Sequence, residues 1–215
     1  MAYFPMFVDL KDKLCIIVGG GAVAYRKIKA LLEFEARILV IAPNCIDKVY
    51  GLKDSLSQEQ LIIALRNFDS GDVCKADLVI AATDDITLNK SIAKECRHKN
   101  IPVNVVDVQE ECSFIFPAYI KRGAVTIGVT SSGKSPVISQ RLKKSIAEQL
   151  PEYLEDLADI LGEARDLVKK SFDTEAERKK VYIALIEAVE NQNGKLSPKQ
   201  IKDVIQREMK KNQDK

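Results

Sequence analysis

Gly19, Gly21 and Ala24 carry the spacing G-x-G-x-x-A. They stand between an apolar run, Leu14–Val18, and a stretch in which Ala24, Ile28, Leu31 and Leu32 recur at helical spacing. Strand, glycine turn and helix in that order give such a pattern chemical meaning. Gly19 permits a tight turn, Gly21 leaves room for backbone to approach a diphosphate, and Ala24 lets the helix pack close to a sheet. The amides of Ala22 and Val23 then stand at the positive end of a helix, where an anion binds. The arrangement predicts a dinucleotide site. About 20 residues on, where a carboxylate usually receives the ribose hydroxyls, the chain has Ala42, Pro43 and Asn44. Asn44 suits an uncharged ribose and Lys48 suits a 2′-phosphate, so residue chemistry leaves NAD and NADP both open.

Two further polar groups end apolar runs. Thr83, Asp84 and Asp85 follow 77–82, and Asp107 follows 102–106. Ligands of open α/β sheets bind outside such carboxyl ends. Thr83 is expected to line the dinucleotide cleft, whereas Asp84 and Asp85 are better read as caps of the helix that carries Leu88 and Ile92. Asp107 has no amphipathic helix directly behind it. Its carboxylate is suited to accept a substrate proton or to hold a divalent cation, with a structural role in the following loop as the alternative. Residues 130–136, TSSGKSP, form a hydroxyl- and glycine-rich loop leading into a helix. The loop resembles an anion cradle but lacks the P-loop spacing. Lys121, Arg122, Lys134 and Arg141 surround it in sequence and suit either substrate carboxylates or plain solvation.

Other reactive side chains point to packing. Cys15, Cys45, Cys74, Cys96 and Cys112 are odd in number and lack C-x-x-C pairs, which fits a reducing cytoplasm and small apolar roles. His98 falls at the expected end of a helix, where the dipole favours a cation. No set of metal ligands is assigned. Thirty-three basic and 31 acidic residues leave a charge of +2, too little to imply a nucleic-acid or anionic-membrane partner. No apolar stretch approaches the roughly 20 residues that span a bilayer, and the N-terminal run MAYFPMFVDLKDK reads as no export signal.

The elements that must position these groups alternate. Leu14–Val18, Arg37–Ala42, Leu61–Leu65, 77–82 and 102–106 are continuous apolar runs, the mark of a parallel sheet covered on both faces. After Asp107, residues 114–118 and 124–129 read as two strands joined by a charged turn at 121–123. Ser135-Pro136 opens a helix whose buried stripe would be Ile138, Leu142, Ile146 and Leu150. From 151 on only helical spacing remains, at Leu154, Leu157, Leu161 and Leu167, then Val181, Leu185 and Val189. A second cap, Ser197-Pro198, leads to Ile201, Val204, Ile205 and Met209. Residues 210–215 read as a solvated tail. The fold class is α/β: a Rossmann-like parallel sheet domain, a small α+β segment and a C-terminal helical domain.

Several strings are unusual for ordinary Rossmann enzymes: 4–10 (FPMFVDL), 18–24 (VGGGAVA) with Arg26 and Lys27, 82–85 (ATDD) with Leu88 and Asn89, 104–107 (NVVD), 114–118 (FIFPA) and 131–136 (SSGKSP). In these the chain resembles the precorrin-2 dehydrogenase family, the N-terminal module of siroheme synthases, closely over 1–150 and loosely beyond. The resemblance implies NAD-dependent oxidation of precorrin-2 to sirohydrochlorin in siroheme or cobalamin biosynthesis. It implies a homodimer with an NAD-binding domain at 1–112, a dimerisation segment at 113–150 and a helical domain at 151–215. By motif, Asp107 would be the general base or metal-positioning carboxylate. Ser131, with Lys134, would meet the tetrapyrrole, and Ala22, Val23, Pro43 and Asn44 would touch the dinucleotide. Some relatives also insert ferrous or cobaltous ion into the product. Its 215 residues leave no room for the methyltransferase of the fused siroheme synthases, so the expectation is that another protein supplies the substrate. The competing readings are a dinucleotide-sensing regulator with a helical effector domain, and a chelatase that needs no NAD.

Overall fold

The computed structural model describes residues 3–54, 56–57 and 59–213. Met1 and Ala2 of the N-terminal run, and Asp214 and Lys215 of the lysine-rich end, lie outside the described residues. The chain divides into two compact units, Met1–Phe116 and Pro117–Lys215.

In the first unit the apolar runs become β1 (Leu14–Val18), β2 (Arg37–Ala42), β3 (Leu61–Leu65), β4 (Leu78–Ala81) and β5 (Val103–Val105), all parallel, in the order β3-β2-β1-β4-β5. Successive residues of β1 point to opposite faces, so Cys15 and Ile17 pack under α1 (Ala22–Leu32) with Ala24, Ile28 and Leu31. Ile16 and Val18 meet the other core, which holds Ile92, Ala93 and Cys96 of α3 (Ile86–His98). Both faces are covered over β1, β2, β4 and β5, which is why these strands carry no polar alternation, whereas the edge strand β3 is apolar throughout yet leaves Ile62 and Leu65 exposed. A short helix, α2 (Asp47–Lys53), has an apolar stripe of only Val49, which is buried, and Leu52, which packs against the same core.

Register sets the functional edge. Val18 pairs with Ile41 on one side and Ala81 on the other, and Ala81 pairs with Val105. The carboxyl ends of β1, β2, β4 and β5 are therefore level. The strand order reverses between β1 and β4, the switch point where open sheets bind ligands.

The second unit begins with a hairpin, β6 (Ala118–Arg122) and β7 (Val125–Val129). This corrects the expected strand at 114–118: Lys121 and Arg122 belong to β6, and the turn is Gly123-Ala124, with Gly123 at φ 52. The physical reason is that residues 112–114 are already hydrogen-bonded to β5, and Pro117 has no amide to give a ladder. Ser135 caps α4 (Pro136–Gln149), its Oγ accepting from the amide of Ile138 at 3.3 Å. The expected buried stripe of α4 is a second correction, because Ile138 is 55% and Leu142 49% exposed. The helix packs on the hairpin through buried Ser139 and through Lys143, whose ammonium lies 5.4 Å from the Tyr119 ring centre. Its apolar side is left outward.

Three helices, α5 (Leu154–Ser171), α6 (Glu175–Asn191) and α7 (Pro198–Gln213), bury Ile160, Ala164, Val168, Val181, Leu185, Val189, Ile201, Val204 and Ile205 together. Leu167 falls off that stripe and is exposed. Thr174 and Glu177 form a capping box at the start of α6, and Ser197 accepts from the amide of Gln200 at the start of α7. Lys210 and Lys211 are exposed in its last turn. Among the described residues, no helix is long and apolar enough to cross a membrane.

Candidate active site at the carboxyl edge of the sheet

The glycine turn after β1 is shaped by two neighbours. Gly19 has φ 122, and a Cβ there would stand 2.3 Å from the carbonyl oxygen of Ala82 at the end of β4. Gly20, the unspecified position of the motif, is equally constrained. A Cβ would fall 2.2 Å from the Asn44 carbonyl oxygen and 2.7 Å from Cys45 Sγ, and the Gly20 carbonyl accepts from the amide of Ile46 at 3.0 Å. Gly21 differs from both. Nothing lies within 4 Å of its absent Cβ, so the turn opens there, at the N-terminus of α1. No side chain caps α1 and its first turn has no acidic residue, which leaves the Ala22 and Val23 amides facing that space. This is the room and polarity a diphosphate needs.

Beyond the turn lies an open cleft of about 610 Å³ lined by Ala22, Tyr25, Arg26, Ile46, Asp47 and Lys48. Pro43 and Asn44 are exposed, following β2 directly. Asp47 is the carboxylate that sequence spacing did not find at the strand end. It opens α2, an element missed in the sequence, and its only local signal was an acidic residue in a helical first turn. One carboxylate thus stands with two cations in this cleft.

At the end of β4, Thr83 and Asp85 are held by partners within the fold. The Thr83 amide and hydroxyl both donate to Asn89 Oδ1, at 3.2 and 2.7 Å, and Asn89 Nδ2 returns to the Thr83 carbonyl at 3.0 Å. Asn89 is 1% exposed. Thr83 is placed at the edge as expected, but its hydroxyl is held inward by this pair and also accepts from the Asp85 amide. Asp85 is the cap of α3, its Oδ1 accepting from the amides of Thr87 and Leu88. Asp84 is exposed.

At the end of β5 the pattern inverts. Asp107 is exposed and has φ 62, the left-handed region. Among the described residues no side chain holds its carboxylate. Its turn is fastened from below by 112–114. Ser113 pairs with Val103 through its amide and hydroxyl, both at 2.8 Å, Asn104 Nδ2 donates to the Phe114 carbonyl, and Cys112 Sγ accepts from the Val105 amide at 3.1 Å. Lys27, from α1, places its ammonium 3.8 Å from the Phe116 ring centre. Burial lowers this amine to about 8. Burial raises the Cys112 thiol, with the Val105 amide and Lys27 drawing it back. None of these partnerships was visible locally in the sequence.

The edge of the first unit therefore gathers Gly19, Gly21, Ala22, Val23, Pro43, Asn44, Thr83 and Asp107. Ser131 and Lys134 belong to the second unit. Ser131 Oγ donates to the Ser135 carbonyl at 2.8 Å and accepts from its amide at 2.9 Å, which closes the loop on itself. Ser132 and Gly133 come next with φ 56 and 79, and the Lys134 side chain is exposed. Among the described residues, no group of three or more His, Cys, Asp or Glu is arranged to hold a metal ion. His98 is the exposed last residue of α3, and all five cysteines are free.

Known proteins share both the sequence and the fold. The chain is 36% identical over 179 residues to the siroheme synthase of Ruthia magnifica subsp. Calyptogena magnifica, a match that covers 83% of this chain and 37% of that protein. It is 38% identical over 172 residues to the siroheme synthase of Vesicomyosocius okutanii subsp. Calyptogena okutanii, covering 80% and 36%. The chain thus spans under two fifths of the length of these relatives. A solved structure described as SirC, precorrin-2 dehydrogenase, shares the fold, with a TM-score of 0.76 and 22% identity over 97% of this chain and 100% of that one. The family model described as "Putative NAD(P)-binding" matches residues 6–118. With more than half its length matched, the chain belongs to this NAD(P)-binding family.

Proposed function

We propose that this chain oxidises precorrin-2 to sirohydrochlorin with NAD. The siroheme synthase and SirC likenesses support the substrate. The observation that carries the reading is the pairing, on one level sheet edge, of a glycine turn open at Gly21 with a carboxylate, Asp107, that no other group claims. The Ala22 and Val23 amides hold the diphosphate, with Pro43 and Asn44 beside it. Asp47 accepts the adenosine ribose hydroxyls, which favours NAD, because a carboxylate in the cleft repels a 2′-phosphate. When bound, the nicotinamide takes up the hydride. Asp107 accepts the proton that leaves the macrocycle with it, two electrons and one proton having gone to the coenzyme.

Ser131, Lys134 and neighbouring basic residues meet the acidic side chains of the tetrapyrrole. Ferrous or cobaltous ion, as a second substrate, would displace two pyrrole protons from the product, and Asp107 would take them one at a time and pass each to solvent. The functional division is 1–112 for the dinucleotide, 113–150 for dimerisation and 151–215 for the helical domain. The outward stripe of Val137, Ile138 and Leu142 on α4 supports the homodimer. Unpaired cysteines support a cytoplasmic setting.

Anaerobic incubation with precorrin-2 and NAD, followed by ferrous or cobaltous ion, tests both steps in order. A coenzyme-dependent change in the tetrapyrrole spectrum is expected. No change with either NAD or NADP overturns the reading. Asp47→Asn should reduce the preference for NAD over NADP about tenfold, the scale of one hydrogen-bonded charge. An unmoved preference transfers the ribose end to Lys48.

A further inference from the structure

The turn that presents Asp107 is bounded by Val105 and Val108, and both converge on a single atom, Cys112 Sγ. The Val105 amide donates to it at 3.1 Å, and the thiol lies 3.3 Å from the Val105 carbonyl and 3.5 Å from the Val108 carbonyl. Asn104 Nδ2 adds a longer contact at 3.6 Å. The thiol receives the Val105 amide proton and shares its own between the Val105 and Val108 carbonyls, the second of which lies on the far side of the turn.

The link has firm anchors. Ser113, the next residue, is paired twice with Val103, and Val103, Val105 and Val108 are all buried. Cys112 is therefore held in place by its chain neighbours, and since the Val106 amide is bonded to the Ala81 carbonyl at 3.0 Å, the tip that the thiol spans is Asp107. That tip needs holding, because φ 62 at Asp107 is a conformation an L-residue keeps only when its surroundings impose it.

We infer that Cys112 is a positioning residue, whose thiol fixes the 105–108 turn and so aims the Asp107 carboxylate at the substrate. The inference rests on Asp107 being the proton acceptor. Burial keeps the thiol protonated, as the donated bond requires. Oxidation or alkylation of this sulfur would release the turn.

The test uses Cys112→Val, which fills the space without hydrogen bonds, and Cys112→Ser, which keeps a donor and an acceptor. Turnover should fall about tenfold in C112V and recover most of that in C112S, with coenzyme affinity and melting temperature little changed in both. Hydrogen exchange at the Val105 amide should lose protection in C112V, while the Val103 amide, bonded to Ser113, keeps it. In an Asp107→Asn background C112V should slow the reaction no further, since a residue acting through Asp107 has nothing left to aim.

Equal slowing by C112V in both backgrounds, or unchanged turnover in the wild-type background, overturns the inference. If D107N itself leaves turnover unchanged, the reading of Asp107 fails instead. The Val105 amide then decides the clamp alone: lost protection in C112V upholds it and kept protection removes it.

Discussion

The turns after β4 and β5 sit side by side, since Ala81 and Val105 are paired, yet they use their acidic residues in opposite ways. After β4 the chain enters α3 at once, and a helix start brings amides that need acceptors. Asp85 supplies one, and Thr83 is locked to Asn89 behind it. After β5 there is no such helix. Asp107 is left with its carboxylate in solvent, and the turn is secured by groups on its far side, Cys112 and Ser113. The element that comes after a strand decides whether the acidic residue at its end belongs to the fold or is available for chemistry.

The largest expected effect is the separation of these two carboxylates by activity. Asp107→Asn should lower turnover a hundredfold or more, within the roughly 10²–10⁴ range of a general base, while coenzyme binding measured by calorimetry stays unchanged. Asparagine tolerates the left-handed conformation as aspartate does, so the change isolates the charge. Asp85→Asn should leave turnover close to wild type. Equal losses from the two substitutions would abolish the distinction between the turns.

Next in size is Asn89→Ala. It removes the buried amide that satisfies Thr83 on both sides and leaves backbone polar groups unpaired. The expected cost is about 2 kcal/mol, read as a lower urea midpoint at an unchanged slope. Turnover at saturating coenzyme should hold. A large loss of activity without loss of stability would make the β4 turn part of the chemistry after all.

Much of the fold and part of the site were legible in the residues alone, and the illegible parts share one cause. β1, β2, β4 and β5 announced themselves because a strand buried on both faces is a continuous apolar run, the edge strand β3 shared that apolar run although Ile62 and Leu65 are exposed, and the Gly19 to Ala24 spacing stood where such a strand ended. Gly20 was hidden in the motif's free position, because its constraint comes from Asn44 on another loop. Asn89 and Cys112 carried no local mark, since their partners are set by strand register. The stripe of α4 misled for the complementary reason: periodicity shows which side of a helix is apolar, not which side has a neighbour. The strand expected at 114–118 failed because those residues flank a segment already bonded to β5.

A smaller effect belongs to the cap itself. Asp85→Ala should cost about 1 kcal/mol, the usual value of an N-cap, with α3 fraying at its start in hydrogen exchange. A neutral outcome would mean that Thr83 and Asn89 alone fix the turn.

The smallest effect is expected on the β5 side, at Lys27, where two contributions oppose each other. Burial has moved the amine from 10.5 to about 8, chiefly by disfavouring the ammonium, with Cys112 acting against that shift and Arg26 with it. Below pH 8 the folded protein carries the charge at a cost. Between pH 8 and 10.5 the unfolded chain holds a proton that the folded one has released, so this group makes stability rise with pH across that window. Lys27→Met removes the cost but also the contact of the ammonium with Phe116. The variant should be slightly more stable at pH 7, and the advantage should shrink as pH approaches 10. The buried thiols, Cys15 at about 12 and Cys96 at about 11, erode stability in the alkaline range as the unfolded chain ionises first. Cys15 and Cys96 do so equally in both proteins, so the difference between the two at each pH reports Lys27 together with Cys112, the thiol it draws down. An advantage that stays constant from pH 7 to 10 would show that no desolvated charge rests beside the β5 turn, and the two strand ends would then differ only in their carboxylates.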